Sequence, residues 1–514
     1  MKNKTLAIIF LMVAILVIIF LTTGKSKPLA TVNNTVELSN GERYDLSASY
    51  ITKEIAGKKQ TMLAYNGSIP GPTIRVTQGS EVTIIFKNNT DMPQLLHSHG
   101  VRMKNAFDGS QAVQKEMKPG EVFSYKLTFP DAGVYWYHPH AKEVYGQGLG
   151  LYGAFVVTPK DASYFPPVNQ EIPVFLSDIP IKNGSITLDK NKASHTLMGH
   201  YGNVMLVNGE DKYTLTAKSG EVVRLYVINS ANTRPFKFAI NNLKLKLIGG
   251  DSGAHEESTF VDSVILGPSE RAIVDIFVPK SGIYEMQNKT PNATTVLGTV
   301  SVSNEMVDIS YEKEFNQLQK NNITTQSIEP FKKYFNKTVD KSIVLSLDMG
   351  GNSMNMQGMG QGGHMMGNNE SMMSGSMMSS SPDGIEWEDT NQMMNSMSDT
   401  DSIKWYILDQ ETGKKNMDID WVFKKDVPVK IKIFNDPKSM HPMQHPIHFH
   451  GQRFLVISRD GVKQTNLVWK DTTLVKSGEV VEIILDPSNL GTWMAHCHIS
   501  EHLESGMMFG FKVE

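Results

Sequence analysis

A β-rich unit made of two runs occurs three times in this chain of 514 residues, and this repeat limits the possible folds more than any other feature. In each run apolar and polar residues alternate, and turn-forming Gly, Pro, Asn and Asp separate the runs, which is typical of short β-strands. The repeat predicts three all-β sandwich or barrel domains, which we place at residues 35–160, 165–305 and 335–514. The two runs of each copy are, in chain order, Arg75–Asn89 and Lys118–His140, Thr214–Ser230 and Leu266–Asn288, and Phe423–Asp436 and Val475–His498.

The three copies differ at the end of their last strand. The first copy ends in His138-Pro139-His140 and the third in His496-Cys497-His498, whereas the middle copy has Glu285–Asn288 there and no histidine. We therefore expect the three domains to share a structure, and only the two outer domains to carry metal ligands.

Ten of the 15 histidines lie in four short clusters, and this concentration predicts metal binding. Residues two apart in a β-strand point to the same face, so each His-x-His pair can direct two imidazoles at one metal site. A zinc hydrolase is the competing interpretation, but a zinc site needs only three or four ligands. The histidines of the four clusters are His97 and His99, His138 and His140, His445, His448 and His450, and His496, His498 and His502.

Cys497, the only cysteine, excludes an internal disulfide and any Cys-rich metal site. Its side chain should point away from the two histidines beside it, which predicts a second metal site joined to the first through a few covalent bonds. A blue-copper site uses two histidines, one thiolate and a weak axial ligand that is often Met. His445 and His502 are left over after the histidine cluster is filled, and Met507 is available beyond them; the other eight imidazoles suit three copper ions.

The four clusters, in this order, resemble the copper motifs of three-domain multicopper oxidases, the family of laccases and bacterial copper-efflux oxidases. The resemblance covers nearly the whole chain beyond the N-terminal segment. It implies three cupredoxin-like domains of the Greek-key type and four copper ions per chain, with a trinuclear cluster between the first and third domains. The implied ligands are Cys497, His445, His502 and axial Met507 for the type-1 copper, His97 and His448 for the type-2 copper, and His99, His138 and His498 with His140, His450 and His496 for the two type-3 coppers.

The resemblance also bears on proton delivery. Asp108 matches an acidic residue that helps this family to deliver protons to reduced oxygen, although an ordinary Asp-Gly turn has the same sequence. Leu503 stands where copper-efflux oxidases commonly have a carboxylate, which leaves the second proton path open, with Glu501 and Glu504 as neighbours. The catalytic residues that we expect are Cys497, His496, His498 and Asp108.

A segment of the third domain, residues 349–400, is rich in methionine: Met349 to Met397 contains 13 of the 29 methionines among Gly, Ser, Asn and Gln. This composition predicts an insertion or loop without a packed core. Thioethers are soft ligands that select Cu(I), and similar insertions are characteristic of the copper-efflux branch. Met443 matches a substrate-copper ligand of that branch, and Met349 and His441 are further candidates, although His441 would equally fit an exposed loop.

Residues 1–30 are expected to form a signal or membrane anchor. An uncharged apolar run from Leu6 to Leu21 follows Lys2 and Lys4, and the 19 residues from Thr5 to Thr23 nearly cross a hydrocarbon core of about 30 Å. Either interpretation exports the rest of the chain, so we expect an extracytoplasmic protein that is anchored to the membrane, secreted or periplasmic.

These features together predict a copper-dependent oxidase that couples one-electron oxidation of a reductant to four-electron reduction of O₂ to water. The favoured reductant is Cu(I), in copper tolerance. The alternatives are a laccase that oxidises phenols, or Mn(II) or Fe(II), and a protein that only sequesters copper. The near balance of 50 Lys and Arg against 53 Asp and Glu argues against a nucleic-acid partner.

Overall fold

A computed structural model describes residues 34–349 and 381–514 of the protein, and β-strands form most of its regular structure. The prediction of an all-β chain is confirmed. The helices of these residues are short, and they lie at Glu143–Gly148, Glu312–Asn316, Asn322–Lys332, Gln392–Ser396 and Ser500–Glu504, with 3-10 turns at Asn105–Phe107 and Asn416–Asp418.

The first domain consists of two packed sheets. Its strands are β1 (Thr35–Leu38), β2 (Arg43–Ile55), β3 (Lys58–Tyr65), β4 (Thr73–Thr77), β5 (Glu81–Asn88), β6 (Leu96–His99), β7 (Val122–Thr128), β8 (Gly133–Pro139) and β9 (Gly153–Thr158). One sheet has the order β1-β4-β9-β8-β6 and the other β3-β2-β5-β7.

The middle domain has a six-stranded and a five-stranded sheet. Its strands are β10 (Gln170–Ile179), β11 (Ile181–Lys182), β12 (Ser185–Ile186), β13 (Val204–Val207), β14 (Tyr213–Ser219), β15 (Glu221–Asn229), β16 (Phe236–Ile240), β17 (Leu245–Gly250), β18 (Gly253–Val261), β19 (Val264–Leu266), β20 (Arg271–Val278), β21 (Gly282–Lys289) and β22 (Thr294–Met306). The orders are β13-β10-β15-β20-β17-β18 and β14-β22-β21-β16-β19, and β11 and β12 form a separate hairpin.

The third domain repeats this arrangement. Its strands are β23 (Lys341–Met349), β24 (Ile403–Asp409), β25 (Asp420–Phe423), β26 (Val429–Asn435), β27 (His445–Phe449), β28 (Arg453–Arg459), β29 (Val462–Lys463), β30 (Thr472–Val475), β31 (Val480–Asp486), β32 (Gly491–Cys497) and β33 (Met508–Val513). The two sheets have the orders β24-β23-β26-β31-β28-β29 and β25-β33-β32-β27-β30.

The sequence repeat corresponds to equivalent strands in the three domains. Each domain has one parallel pair in one of its two sheets, β2 with β5, β10 with β15 and β23 with β26. Each has a second parallel pair, β4 with β9, β14 with β22 and β25 with β33. The first and second runs of each repeat meet as antiparallel neighbours, β5 with β7, β15 with β20 and β26 with β31.

Burial along the strands explains the alternation in the sequence. Buried and exposed residues alternate along β14, because one face of this strand packs on the opposite sheet and the other meets solvent. In contrast, β15 is buried along its whole length. Its residues Tyr226 and Ile228 belong to the core cluster of the first domain, so its second face packs against that domain.

The end of the methionine-rich segment is packed, and the prediction of a loop without a core is wrong for residues 381–398. Ile385 is fully buried and Trp387 is 5% exposed. The Ser398 hydroxyl accepts a hydrogen bond from the backbone N–H of Leu197 at 2.9 Å, which ties this end to the middle domain. The expectation failed because it was based on the composition of the whole segment. Ile385 and Trp387 are only two large apolar residues among many Met, Ser and Asn residues. Residues 350–380 lie outside the described part of the chain.

The predicted N-terminal anchor or signal, residues 1–30, also lies outside the described residues. Within residues 34–349 and 381–514, no helix combines the length and the apolar character needed to cross a membrane.

Candidate metal centres

Antiparallel pairing brings the histidine pairs side by side. Strands β6 and β8 place His97 opposite His138 in the first domain. Strands β27 and β32 place His448 opposite His496 in the third domain. Directly opposed residues share a face of the sheet, and so do residues two positions further along. Each outer domain therefore presents a compact group of imidazoles.

The eight imidazoles of the two outer domains meet in one buried cluster, which we call the histidine cluster. Within it, three groups have ligand atoms that all lie within 4.8 Å of one another. The structure thus brings together both predicted type-3 sets and the predicted type-2 pair. The groups are His97, His99 and His448; His99, His138 and His498; and His140, His450 and His496.

Hydrogen bonds on the outside of the histidine cluster orient the rings. The carbonyl oxygen of Asp108 lies 2.6 Å from His97 Nδ1, and that of Asp471 lies 2.8 Å from His448 Nδ1. Because a carbonyl oxygen only accepts, Nδ1 carries the proton and Nε2 keeps its lone pair. Within the histidine cluster, the following histidines have a buried Nε2 without a hydrogen-bond partner in the described part of the chain: His97, His138, His140, His448 and His498. Such orphaned buried acceptors fit a bound metal.

Burial favours the neutral form of His138, His448 and His496. It lowers the pKa of His138 and His448 well below the usual value, and neighbouring histidines lower it further. Burial also lowers the pKa of His496 to about 4. A metal binds the neutral imidazole, so the cluster is in the binding form at neutral pH without a competing proton.

Asp108 is fully buried at the edge of the histidine cluster. Its Oδ2 lies 3.0 Å from His450 Nδ1. The next residue, Gly109, has a φ of +76°, and a Cβ there would lie 1.9 Å from the carbonyl oxygen of Leu96. The Asp-Gly turn and the carboxylate contact therefore coexist, since the turn brings Asp108 against the ring.

Asp471 is a second buried carboxylate at the cluster, and sequence analysis missed it. Its Oδ1 lies 2.9 Å from His99 Nε2 and accepts a hydrogen bond from Arg271 of the middle domain at 2.7 Å. The Ser269 hydroxyl, also from the middle domain, lies 3.0 Å from the same ring nitrogen. The domain without metal ligands thus orients a ligand of the other two.

Glu143 is a third carboxyl that sequence analysis did not single out. Its Oε1 lies 4.0 Å from His138 Nδ1 and 3.9 Å from His498 Nδ1. Burial raises the pKa of Glu143 well above its usual range, and the nearby Glu504 raises it further. The only sequence feature that could have indicated Glu143 is its position three residues after His138-Pro139-His140. Leu503, by contrast, is a buried apolar side chain.

Cys497 lies on the other face of β32 and has its own partners, which together we call the Cys497 cluster. Its Sγ lies 3.6 Å from His445 Nδ1 and 3.8 Å from His502 Nδ1, and these two nitrogens are 3.3 Å apart. Burial raises the pKa of the Cys497 thiol. The predicted axial Met507 is fully buried in the same core, and its carbonyl oxygen accepts the Cys497 backbone N–H at 3.0 Å.

The surroundings of the Cys497 cluster are mostly apolar. Trp405 stacks on His502 with ring centroids 4.2 Å apart, and its indole N–H donates to the carbonyl oxygen of Thr196 at 2.7 Å. Leu197 and Met198 belong to the same hydrophobic core as Cys497. The middle domain therefore contributes to the wall of this cluster.

The predicted Cu(I) ligands have different outcomes. Met443 is fully buried in the core that contains Cys497. His441 is 2% exposed, so it is not an exposed loop residue, and burial lowers its pKa to about 4. Met349 ends β23, but its side chain lies outside the described part of the chain.

Comparisons with known proteins agree with this arrangement. The chain is 27% identical over 474 residues to the multicopper oxidase mco of Staphylococcus aureus, which covers 90% of this chain and 86% of that protein. It is 28% identical over 286 residues to Laccase-15 of Oryza sativa subsp. japonica, covering 52% of this chain and 46% of that protein. A solved structure described as a multicopper oxidase from Campylobacter jejuni, a metallo-oxidase, has a TM-score of 0.67 at 25% identity, covering 95% of this chain and 93% of that one.

Sequence models of the family described as multicopper oxidase match residues 47–162, 172–305 and 386–514. Each match falls on one of the three β-sandwich domains. The predicted cupredoxin-like fold, the copper cofactor and the oxidoreductase class are therefore confirmed. The chain belongs to the multicopper oxidase family.

Proposed function

We propose that this oxidase takes its electrons from Cu(I) and serves copper tolerance. The observation that carries the proposal is the closure of the Cys497 cluster: His445 is 1% exposed and His502 is fully buried. A phenol must bring its ring close to a copper ligand, whereas a metal ion can be held by single nitrogen or sulfur atoms in the wall of the cluster. The similar Campylobacter jejuni protein is described as a metallo-oxidase, which supports a metal-ion reductant here.

We also propose that the ligand sets are those implied by the resemblance. Cys497, His445, His502 and Met507 would hold one copper ion, and the histidine cluster would hold three. When bound, copper supplies one-electron oxidation of the reductant and four-electron reduction of O₂ to water. Cys497 is bonded through the backbone to His496 and His498, so three consecutive residues at the end of β32 join the two clusters.

The roles of the surrounding residues follow from their contacts. Asp108 and Asp471 hold His450 and His99 in fixed orientations. Burial raises the pKa of Glu143, which favours the protonated form of a carboxyl beside two ligand histidines. We propose that it supplies the proton path for which Leu503 has no carboxylate.

Soft donors near the Cys497 cluster favour Cu(I) over harder ions. Met443 and Met198 share its core. Nine further methionines lie in the sequence between residues 351 and 380. Thioethers prefer Cu(I), so these side chains would raise its local concentration.

Phenol oxidation is the alternative function, because the chain is also similar to proteins named laccase. Mn(II) or Fe(II) would also fit a metal-oxidising enzyme. Copper storage without turnover has less support, since multicopper oxidases use O₂ and a reductant.

Replacement of the nine methionines by serine separates Cu(I) from phenol oxidation without changing chain length or touching the packed residues 381–398. We expect the rate at low Cu(I) to fall and phenol oxidation to be unchanged. A matched deletion of residues 352–379 should have the same effect on Cu(I) and spare or raise phenol oxidation. Bound copper is counted in each variant. Unchanged Cu(I) kinetics in fully loaded variants would favour the laccase alternative.

We propose further that the catalytic domains act outside the cytoplasm, with residues 1–30 as anchor or signal. The support is the apolar run from Leu6 to Leu21 after two lysines. Cell fractionation of the full chain tests this proposal. Recovery of the oxidase in the cytoplasm would contradict it.

A further inference from the structure

Two histidines of the middle domain have no role in the clusters described above. His195 and His200 lie on the segment Ala193–His200, which reaches the third domain, and their ring centroids are 4.2 Å apart. His195 is partly exposed and has a φ of 61°, a left-handed conformation that is uncommon for histidine. Its backbone N–H donates to the carbonyl oxygen of Ser398 at 2.9 Å, which fixes the segment.

The His200 ring has the environment of a metal ligand. The side chain is 6% exposed, and its Nδ1 lies 2.7 Å from Glu501 Oε1. The same carboxylate oxygen accepts the backbone N–H of His200 at 3.0 Å, and Thr233 donates its hydroxyl to Oε2 at 3.0 Å. With Nδ1–H held by the carboxylate, Nε2 carries the lone pair, as in the carboxylate–histidine–metal arrangement. That Nε2 is buried and has no hydrogen-bond partner in the described part of the chain.

The position of His200 connects it to the Cys497 cluster. Glu501, its partner, is the residue directly before His502 on helix Ser500–Glu504. One hydrogen bond and a short stretch of backbone therefore separate the His200 ring from a proposed copper ligand. The carboxylates of Glu501 and Asp389 both act on His195 electrostatically, so two acidic groups lie near the ring pair.

We propose that His200 Nε2, together with His195, binds substrate Cu(I) between solvent and the Cys497 cluster. Imidazole nitrogens suit copper ions, and the partly exposed His195 lies on the solvent side of the pair. The site differs from the predicted ligands Met443, Met349 and His441. The inference rests on the proposed function, since it assigns a binding site to that reductant.

The reaction balances with O₂ as the oxidant. Each Cu(I) bound at His200 loses one electron and leaves as Cu(II). Four such electrons, with four protons, reduce one O₂ to two molecules of water. His200 and His195 change neither charge nor bonding in the balance, because they act only as ligands.

Ag(I) provides a test that does not depend on turnover, because it is a soft ion of the same charge that the enzyme cannot oxidise. The copper-loaded holoenzyme is titrated with Ag(I), and the His200→Asn and His195→Asn variants are compared with it. Asn at position 200 can still donate to Glu501 but has no atom in place of Nε2. We expect each variant to lose one of the Ag(I) equivalents that the wild type binds. His255→Asn, the same change at a histidine of the middle domain outside this site, should lose none.

Kinetics provide the second test. In His200→Asn and His195→Asn, the KM for Cu(I) should rise by about tenfold or more, and by more than any change in kcat for Cu(I). His195 is partly exposed, so its variant keeps the test valid if His200→Asn does not fold. Equal Ag(I) binding by wild type and variants would overturn the site. If the wild type oxidises no Cu(I) although the variants lose Ag(I), the proposed function fails and the binding site stands.

Discussion

The two metal clusters of this protein are held in different ways. The histidine cluster lies between the first and third domains and is surrounded by the buried carboxyl groups Asp108, Asp471 and Glu143. The Cys497 cluster takes its three close ligand atoms from the third domain alone and lies in that domain's hydrophobic core. One site therefore takes its ligand atoms from two packed domains, and the other takes them from a single β-sandwich.

The middle domain contributes differently to each cluster. It supplies Arg271 and Ser269 to orient His99 in the histidine cluster. To the Cys497 cluster it supplies a covering segment through the contact of Thr196 with Trp405. A domain without histidine motifs at its last strand thus acts as a polar support for one site and as a wall for the other. We expect variants to separate these two contributions.

Cys497→Ser should have the largest effect. It removes the only thiolate, so oxidase activity should fall to background, and the intense blue colour of a thiolate-bound copper should be lost. The copper content should fall by one equivalent, because the histidine cluster does not depend on this side chain. Activity, absorption spectrum and bound copper are measured on the same preparation. Loss of all copper would show that the two clusters are not independent.

Asp471→Asn should damage the histidine cluster alone. It leaves the Arg271 charge buried without its close partner, which costs about 3 kcal/mol of unfolding free energy, and it weakens the hold on His99. Copper affinity of the histidine cluster should fall by about 10–100-fold. The blue colour should remain.

Asp275→Asn is the matched control, because Asp275 forms a buried ion pair with Arg224 at 2.8 Å within the middle domain. We expect a similar loss of unfolding free energy with full copper content. Equal copper loss in both variants would mean that copper binding follows stability and that the contact with His99 is unimportant.

The difference between the clusters also explains what could be predicted from sequence. The His-x-His pairs were predictable because strand alternation is local, and the resemblance then grouped them into sets that the structure brings together. Asp471 was not predictable, because it meets His99 across 372 positions and belongs to no motif. The same holds for His200 and Glu501, which are 301 positions apart. Such contacts arise from the packing of whole domains, and a local pattern carries no information about it.

Trp405→Phe should disturb the Cys497 cluster with a moderate loss of stability. Phe cannot donate to the buried carbonyl oxygen of Thr196, and the smaller ring leaves space against His502, so we expect a loss of about 2 kcal/mol. The absorption of the blue copper should shift, and the histidine cluster should keep its copper. Trp421→Phe is the control in the same domain, since Trp421 bonds Asp409 at 3.3 Å. Its stability should fall without a spectral shift, and a shift of the same size there would contradict a specific role for Trp405.

The smallest expected effect concerns His255, a histidine of the middle domain that lies near Lys470 of the third domain. Burial lowers the pKa of His255 to about 4 from its usual value of 6.5, and the charge of Lys470 lowers it further, while Asp251 and a backbone contact with Asn466 oppose this. The unfolded chain therefore binds a proton at higher pH than the folded chain, so stability is lost as pH falls from about 6.5 towards 4. Between pH 7 and pH 5 this amounts to about 1 to 2 kcal/mol.

His255→Gln should remove that part of the pH dependence, which is measured as the difference in Tm between variant and wild type at each pH. Above pH 7, the Tm of both proteins should change with pH in the same way. A difference in Tm that stays constant from pH 7 to pH 5 would mean that burial does not protect His255 from protonation. The contact between these two domains would then differ from the buried histidine cluster.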